Sequence, residues 1–105
     1  MNQAQSMKRK VRVTITKEIE VELTPAVFAG LSQEQYLEEF CKGLWPVDGI
    51  DDVFLYAAEM AATCGSGYSH DGIGLLSSSY STHPRVPDAK FVEISEDLET
   101  EFIAP

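Results

Sequence analysis

From Lys10 to Leu23 the chain reads KVRVTITKEIEVEL, with Val11, Val13, Ile15, Ile19, Val21 and Leu23 at odd positions and Lys17 the one charge among them. The even positions, Lys10, Arg12, Thr14, Thr16, Glu18, Glu20 and Glu22, are all polar. Side chains alternate between the faces of a strand, so this pattern predicts a single strand with one apolar and one polar face. At a rise of roughly 3.3 Å per residue it is about 45 Å long. The apolar face needs a cover, and the two helices that follow are the expected source.

Thr24-Pro25 closes the strand, and Ala26 to Leu31 forms a short apolar connection or helical turn. Ser32 with Gln35 three residues on is a capping box, and Leu31 is placed to staple onto Tyr36. The helix they open turns Tyr36, Leu37, Phe40, Cys41 and Leu44 inward and Glu34, Glu38 and Glu39 outward. Gly43 marks its end, and Trp45-Pro46 prevents continuation. A second helix begins at Asp48 or Asp51 and runs to about Thr63, with Gly65 as its stop. Asp51 is the better start, because Ile50 can then staple to Leu55. Its apolar face is Val53, Phe54, Ala57, Met60, Ala61 and Cys64.

Residues 65–88 change character, being rich in Gly, Ser and Pro with single aromatics, and read as a loop segment. A structureless loop of that length is unusual in a small domain, so an irregular strand within Ile73–Tyr80 is allowed for. Lys90 to Ser95 reads as a strand, and Leu98 to Ile103 as another short strand or an extended tail. Residues 1–7 have no pattern and are expected to be a disordered tail. The predicted fold is α+β, one domain over residues 1–105. It has a long N-terminal strand, two antiparallel helices, and one to three C-terminal strands in an antiparallel sheet packed on the helices.

Charge changes the picture most. The net value is −9, and it is unevenly placed. Residues 1–17 hold five bases and no acid, whereas residues 18–105 hold three bases against 17 acids, a balance of −14. Such a field repels nucleic acid and membrane surfaces and attracts basic protein surfaces. The five N-terminal bases are too few to reverse that, so direct nucleic-acid binding is not expected. No apolar run approaches the roughly 20 residues of a membrane span, and no signal-peptide apolar region is present. The expected location is the cytoplasm, where Cys41 and Cys64 read as buried free thiols.

Candidate chemistry is sparse. Cys41, Cys64, His70, Asp71 and His83 show neither the C-x-x-C nor the H-x₃₋₅-H spacing of zinc sites, so no metal is expected. Ser69-His70-Asp71 places three catalytic residue types side by side, but a triad draws its members from separate elements. Gly65, Gly67, Gly72 and Gly74 are followed by no Gly-Lys-Ser/Thr, so they make no phosphate loop. No enzyme and no cofactor is therefore expected. The acids suggest another use: Glu18, Glu20 and Glu22 project from one strand face at intervals of about 6.6 Å, twice the strand rise. With Glu34, Glu38, Asp48, Asp51 and Asp52 they are the candidate partner-binding residues, a carboxylate array able to stand in for backbone phosphates on an Arg/Lys surface.

The segment Tyr36 to Ala62, YLEEFCKGLWPVDGIDDVFLYAAEMAA, together with the long strand before it, resembles small acidic proteins of bacteriophages and other bacterial mobile elements. The resemblance covers roughly residues 10–62 and rests on core and capping positions, so it transfers no site residue. It implies a phage inhibitor, in its sharpest form an anti-CRISPR protein that occupies a basic nucleic-acid-binding surface of a CRISPR effector complex in the bacterial host. The alternative is a homodimeric structural or accessory protein joined through the N-terminal strand. An antiparallel copy of that strand sets Lys10 and Arg12 opposite its glutamates.

Overall fold

The structure, a computed structural model, describes residues 5–81 and 85–104. In chain order the elements are β1 (Val11–Leu23), α1 (Pro25–Phe28), α2 (Gln33–Gly43), α3 (Ile50–Cys64), β2 (Tyr68–His70), β3 (Gly74–Ser78) and β4 (Ala89–Phe102). The fold is α+β, with a four-stranded sheet in the order β1-β4-β3-β2. The sheet is mixed rather than antiparallel as expected: β1/β4 and β2/β3 are antiparallel, but β3 and β4 run parallel. Asp88 is the physical reason. Its backbone N–H donates to the Leu75 carbonyl at 2.9 Å, and its carboxylate accepts the Leu75 N–H at 2.9 Å. Its own carbonyl accepts from the Thr24 hydroxyl at 2.6 Å and from the Thr24 N–H at 3.1 Å. The chain is thus carried back to the start of β3 and latched to the end of β1 before β4 begins.

β1 forms as its alternation predicts, but its apolar face is only half covered. The core is built from Val27, Tyr36, Phe40, Val53, Ala57, Ala61, Ile73, Leu76, Ala89 and Phe91, against which Ile19, Val21 and Leu23 pack. Val11, Val13 and Ile15 remain 45%, 55% and 54% exposed. Length explains the exposure: the 15 residues of α3 span about 22 Å, and the 13 of β1 about 43 Å. The first half of β1 therefore leaves the helices behind and runs with the end of β4 as a two-stranded arm. The molecule measures 71 × 32 × 23 Å with a radius of gyration of 19.3 Å, against about 13 Å for a compact chain of this length.

The two C-terminal segments expected as separate strands are one. β4 pairs with β1 from Ala89↔Leu23 to Phe102↔Val11, with a bulge at Ile94 between the pairs Glu18↔Ser95 and Ile19↔Glu93. One extra residue reverses which side chains face the core. Ala89, Phe91 and Glu93 share the core face of β1, and beyond the bulge Glu96, Leu98, Thr100 and Phe102 continue it.

The helical layer follows its local signals in part. Ser32 and Gln35 make the capping box, with reciprocal bonds of 3.2 and 3.0 Å. α3 starts at Ile50 with Gly49 as its N-cap, ahead of the expected Asp51, and Leu55 is exposed, so the Ile50–Leu55 staple does not organise its start. Both cysteines are exposed free thiols rather than buried ones. The buried line of α3 is Val53, Ala57 and Ala61, at strict four-residue spacing, and Cys64 ends the helix beyond it. Cys41 faces the following loop, where its sulfur accepts the Val47 N–H at 3.5 Å.

Residues 65–88 supply the β2–β3 hairpin, and Ile73, Leu75, Leu76 and Ser77 are among the most buried residues of the molecule. Gly72 turns the hairpin at φ +84°, where a Cβ would collide with Phe40 and Leu44. The close approach lets the Tyr36 hydroxyl donate to the Gly72 carbonyl at 2.7 Å, while Tyr56 donates to the Asp71 carbonyl at 3.0 Å. Burial, then the neighbouring Tyr56, push the Tyr36 phenol up to about 12. Burial first, and Asp71 and Cys64 after it, raise Tyr56 as well.

Candidate acidic binding face

The face of the β1–β4 pair turned away from the helices carries the even residues of β1. Opposite Arg12, Thr14, Thr16, Glu18, Glu20 and Glu22 stand Glu101, Glu99, Asp97, Ser95, Val92 and Lys90 of β4. Each of these six successive levels therefore holds one carboxylate: Glu101, Glu99 and Asp97 on β4, then Glu18, Glu20 and Glu22 on β1. The line crosses from one strand to the other between Asp97 and Glu18, and all six side chains are exposed. At about 6.6 Å per level it extends about 33 Å. Neighbouring carboxylates at that spacing repel by about 0.6 kcal/mol in water, a cost that salt or a cationic partner removes.

The sequence places Glu18, Glu20 and Glu22 correctly on one face but misses the other half of the line. Asp97, Glu99 and Glu101 alternate in DLETE, a visible signal, yet their side depends on the bulge at Ile94. Without it they would sit on the helical side.

The remaining candidates lie elsewhere and have local partners or positions. Glu34 is in the first turn of α2, near its positive end, and Glu38 pairs with Lys42 one turn on at 3.3 Å. Asp51 and Asp52 occupy the first turn of α3, and the Asp52 carboxylate accepts the Asp48 N–H at 2.8 Å. These five acids belong to the helical layer, on the other side of the sheet from the glutamate row. The structure does not bring them into the line.

The charge along the ribbon is graded. Arg12 pairs with Glu101 at 2.9 Å near the tip of the arm, where the Arg9 guanidinium lies 5.8 Å from the centre of the Phe102 ring. Lys17, on the opposite face at the bulge, is shared by Glu93 at 3.5 Å and Glu96 at 3.9 Å. The acidic line is thus countered at its outer end, and among the described residues of the single chain no ion pair reaches Glu99, Asp97, Glu18 or Glu20.

Among the described residues, no group of three or more His, Cys, Asp and Glu converges as metal ligands. His83 lies outside them, while Ser69 and His70 are on β2 and Asp71 in the turn after it. Among the same residues no helix is long and apolar enough to cross a membrane. The chain matches no family model, no curated protein and no solved structure.

Proposed function

We propose that this chain is a non-enzymatic interaction protein that lays its acidic line along a basic surface built to hold nucleic acid, and so keeps nucleic acid off it. The observation that carries the reading is the run of one exposed carboxylate per level over six levels of the β1–β4 ribbon. A β ribbon fixes those charges at a repeat comparable to that of successive phosphates along a nucleic-acid strand. Fixed charges lose less entropy on binding than a flexible acidic tail does. Two oppositely charged surfaces also steer each other together, with a steep dependence on salt.

The sharpest form of the reading, the one that the resemblance expected for residues 10–62 would imply, is an anti-CRISPR-like inhibitor acting on a CRISPR effector complex inside the bacterial cell. Two half-line variants test it: Glu18→Gln/Glu20→Gln/Glu22→Gln and Asp97→Asn/Glu99→Gln/Glu101→Gln. Each is expected to fold normally and to weaken binding to a purified effector, with a shallower salt dependence than the parent. Unchanged affinity in both variants moves the interface off the ribbon.

A further inference from the structure

We infer that β1 is the edge through which two copies of this chain join, antiparallel and centred near Thr16, into one continuous sheet. This goes beyond the acidic-line reading and does not depend on it.

The backbone shows which groups are left over. The Lys10 carbonyl accepts the Ile103 N–H at 2.9 Å, and the Thr24 N–H donates to the Asp88 carbonyl at 3.1 Å. Even residues of β1 thus direct their backbone groups toward β4. The N–H and C=O groups of the odd residues Val11 to Leu23 point to the other side, where β1 is the outermost strand. The bulge adds its residue to β4, so this alternation continues unbroken along β1. β1 carries no Pro, the usual block to edge pairing.

Charge selects the partner and its direction. A second copy running antiparallel about Thr16 sets Lys10 against Glu22 and Arg12 against Glu20, twice over by symmetry. Parallel pairing in register would set each of these charges against its own kind. The same register places Val11 beside Val21 and Val13 beside Ile19 of the second copy. The bare arm face then borders the face that α3 covers. Lys17, the one charged odd residue, is already neutralised by Glu93 and Glu96 of its own chain.

Sedimentation equilibrium at micromolar concentration provides the test, on the full chain and on two reversals, Lys10→Glu/Arg12→Glu and Glu20→Lys/Glu22→Lys. All four positions are exposed, and circular dichroism checks that each variant folds. The parent is expected at twice 11.6 kDa, each reversal alone at half the parent mass, and an equimolar mixture of the two back at the parent mass. A parent of single-chain mass overturns the inference. So does a dimer indifferent to both reversals, as packing through the apolar arm face would give, or a mixture that stays dissociated.

Discussion

Lys17 Nζ lies 3.5 Å from the Glu93 carboxylate across the β1–β4 pair, at the level of the bulge. On one side of that ion pair Ile19, Val21 and Leu23 pack on the core, and on the other Val11, Val13 and Ile15 are bare. A single charge separates the part of the strand that folds the domain from the part that leaves it.

Replacing Lys17 by Ile joins the two apolar stretches. The partly exposed ion pairs are worth about 0.2–1 kcal/mol, so the change in unfolding free energy is expected within that range. Self-association should increase, because the substitution adds apolar area to the exposed arm face. Urea unfolding and light scattering read the two effects separately, and a large stability loss without added association would assign Lys17 to the core instead.

Asp88 sets the start of β4. Asp88→Ala leaves the partly buried Leu75 N–H without its carboxylate partner, an expected loss of about 1–3 kcal/mol. Asp88→Asn keeps an acceptor and should cost less. Equal urea midpoints for the two variants would contradict this account of the parallel β3–β4 join.

The core and the arm should respond differently to the same truncation. Leu76 is 0% exposed and Leu98 61%. Leu76→Ala is expected to lose about 2–5 kcal/mol, and Leu98→Ala to stay within about 0.5 kcal/mol. Thermal or urea unfolding ranks them directly.

Tyr36 makes stability depend on pH in the alkaline range. Its folded value of about 12 lies above the ordinary 10.0, so the phenol stays protonated in the folded chain after the unfolded chain has begun to ionise. Its contribution is fully present below pH 10 and is lost as pH rises from there through about 12. Urea unfolding over that window should show a falling stability that Tyr36→Phe flattens. Tyr56, also raised, leaves some slope behind.

Local signals in the sequence carried β1, the capping box of α2 and the Gly65 end of α3, because each is decided by neighbouring residues. Non-local features were hidden. The parallel join depends on Asp88 meeting both Leu75 and Thr24, far apart in sequence. The unity of β4 depends on Ile94, whose extra residue makes one strand read as two. The buried hairpin lay behind glycines that are turn residues rather than loop filler: Gly72 brings the chain against Phe40, and Gly74, at φ +72°, lies against Asp88. Half of the acidic line was legible for the same reason that half was not. Glu18, Glu20 and Glu22 lie on an uninterrupted strand, while Asp97, Glu99 and Glu101 lie past the bulge.

Competition is the most direct test of the acidic line. A CRISPR effector complex holding labelled nucleic acid is titrated with the parent protein and with a variant neutralised at all six line positions. The parent should displace the nucleic acid, more weakly as salt rises, and the variant should need about tenfold more protein or beyond, equivalent to about 1.4 kcal/mol. Displacement that the variant performs as well as the parent would contradict the claim that these six carboxylates take the place of phosphates.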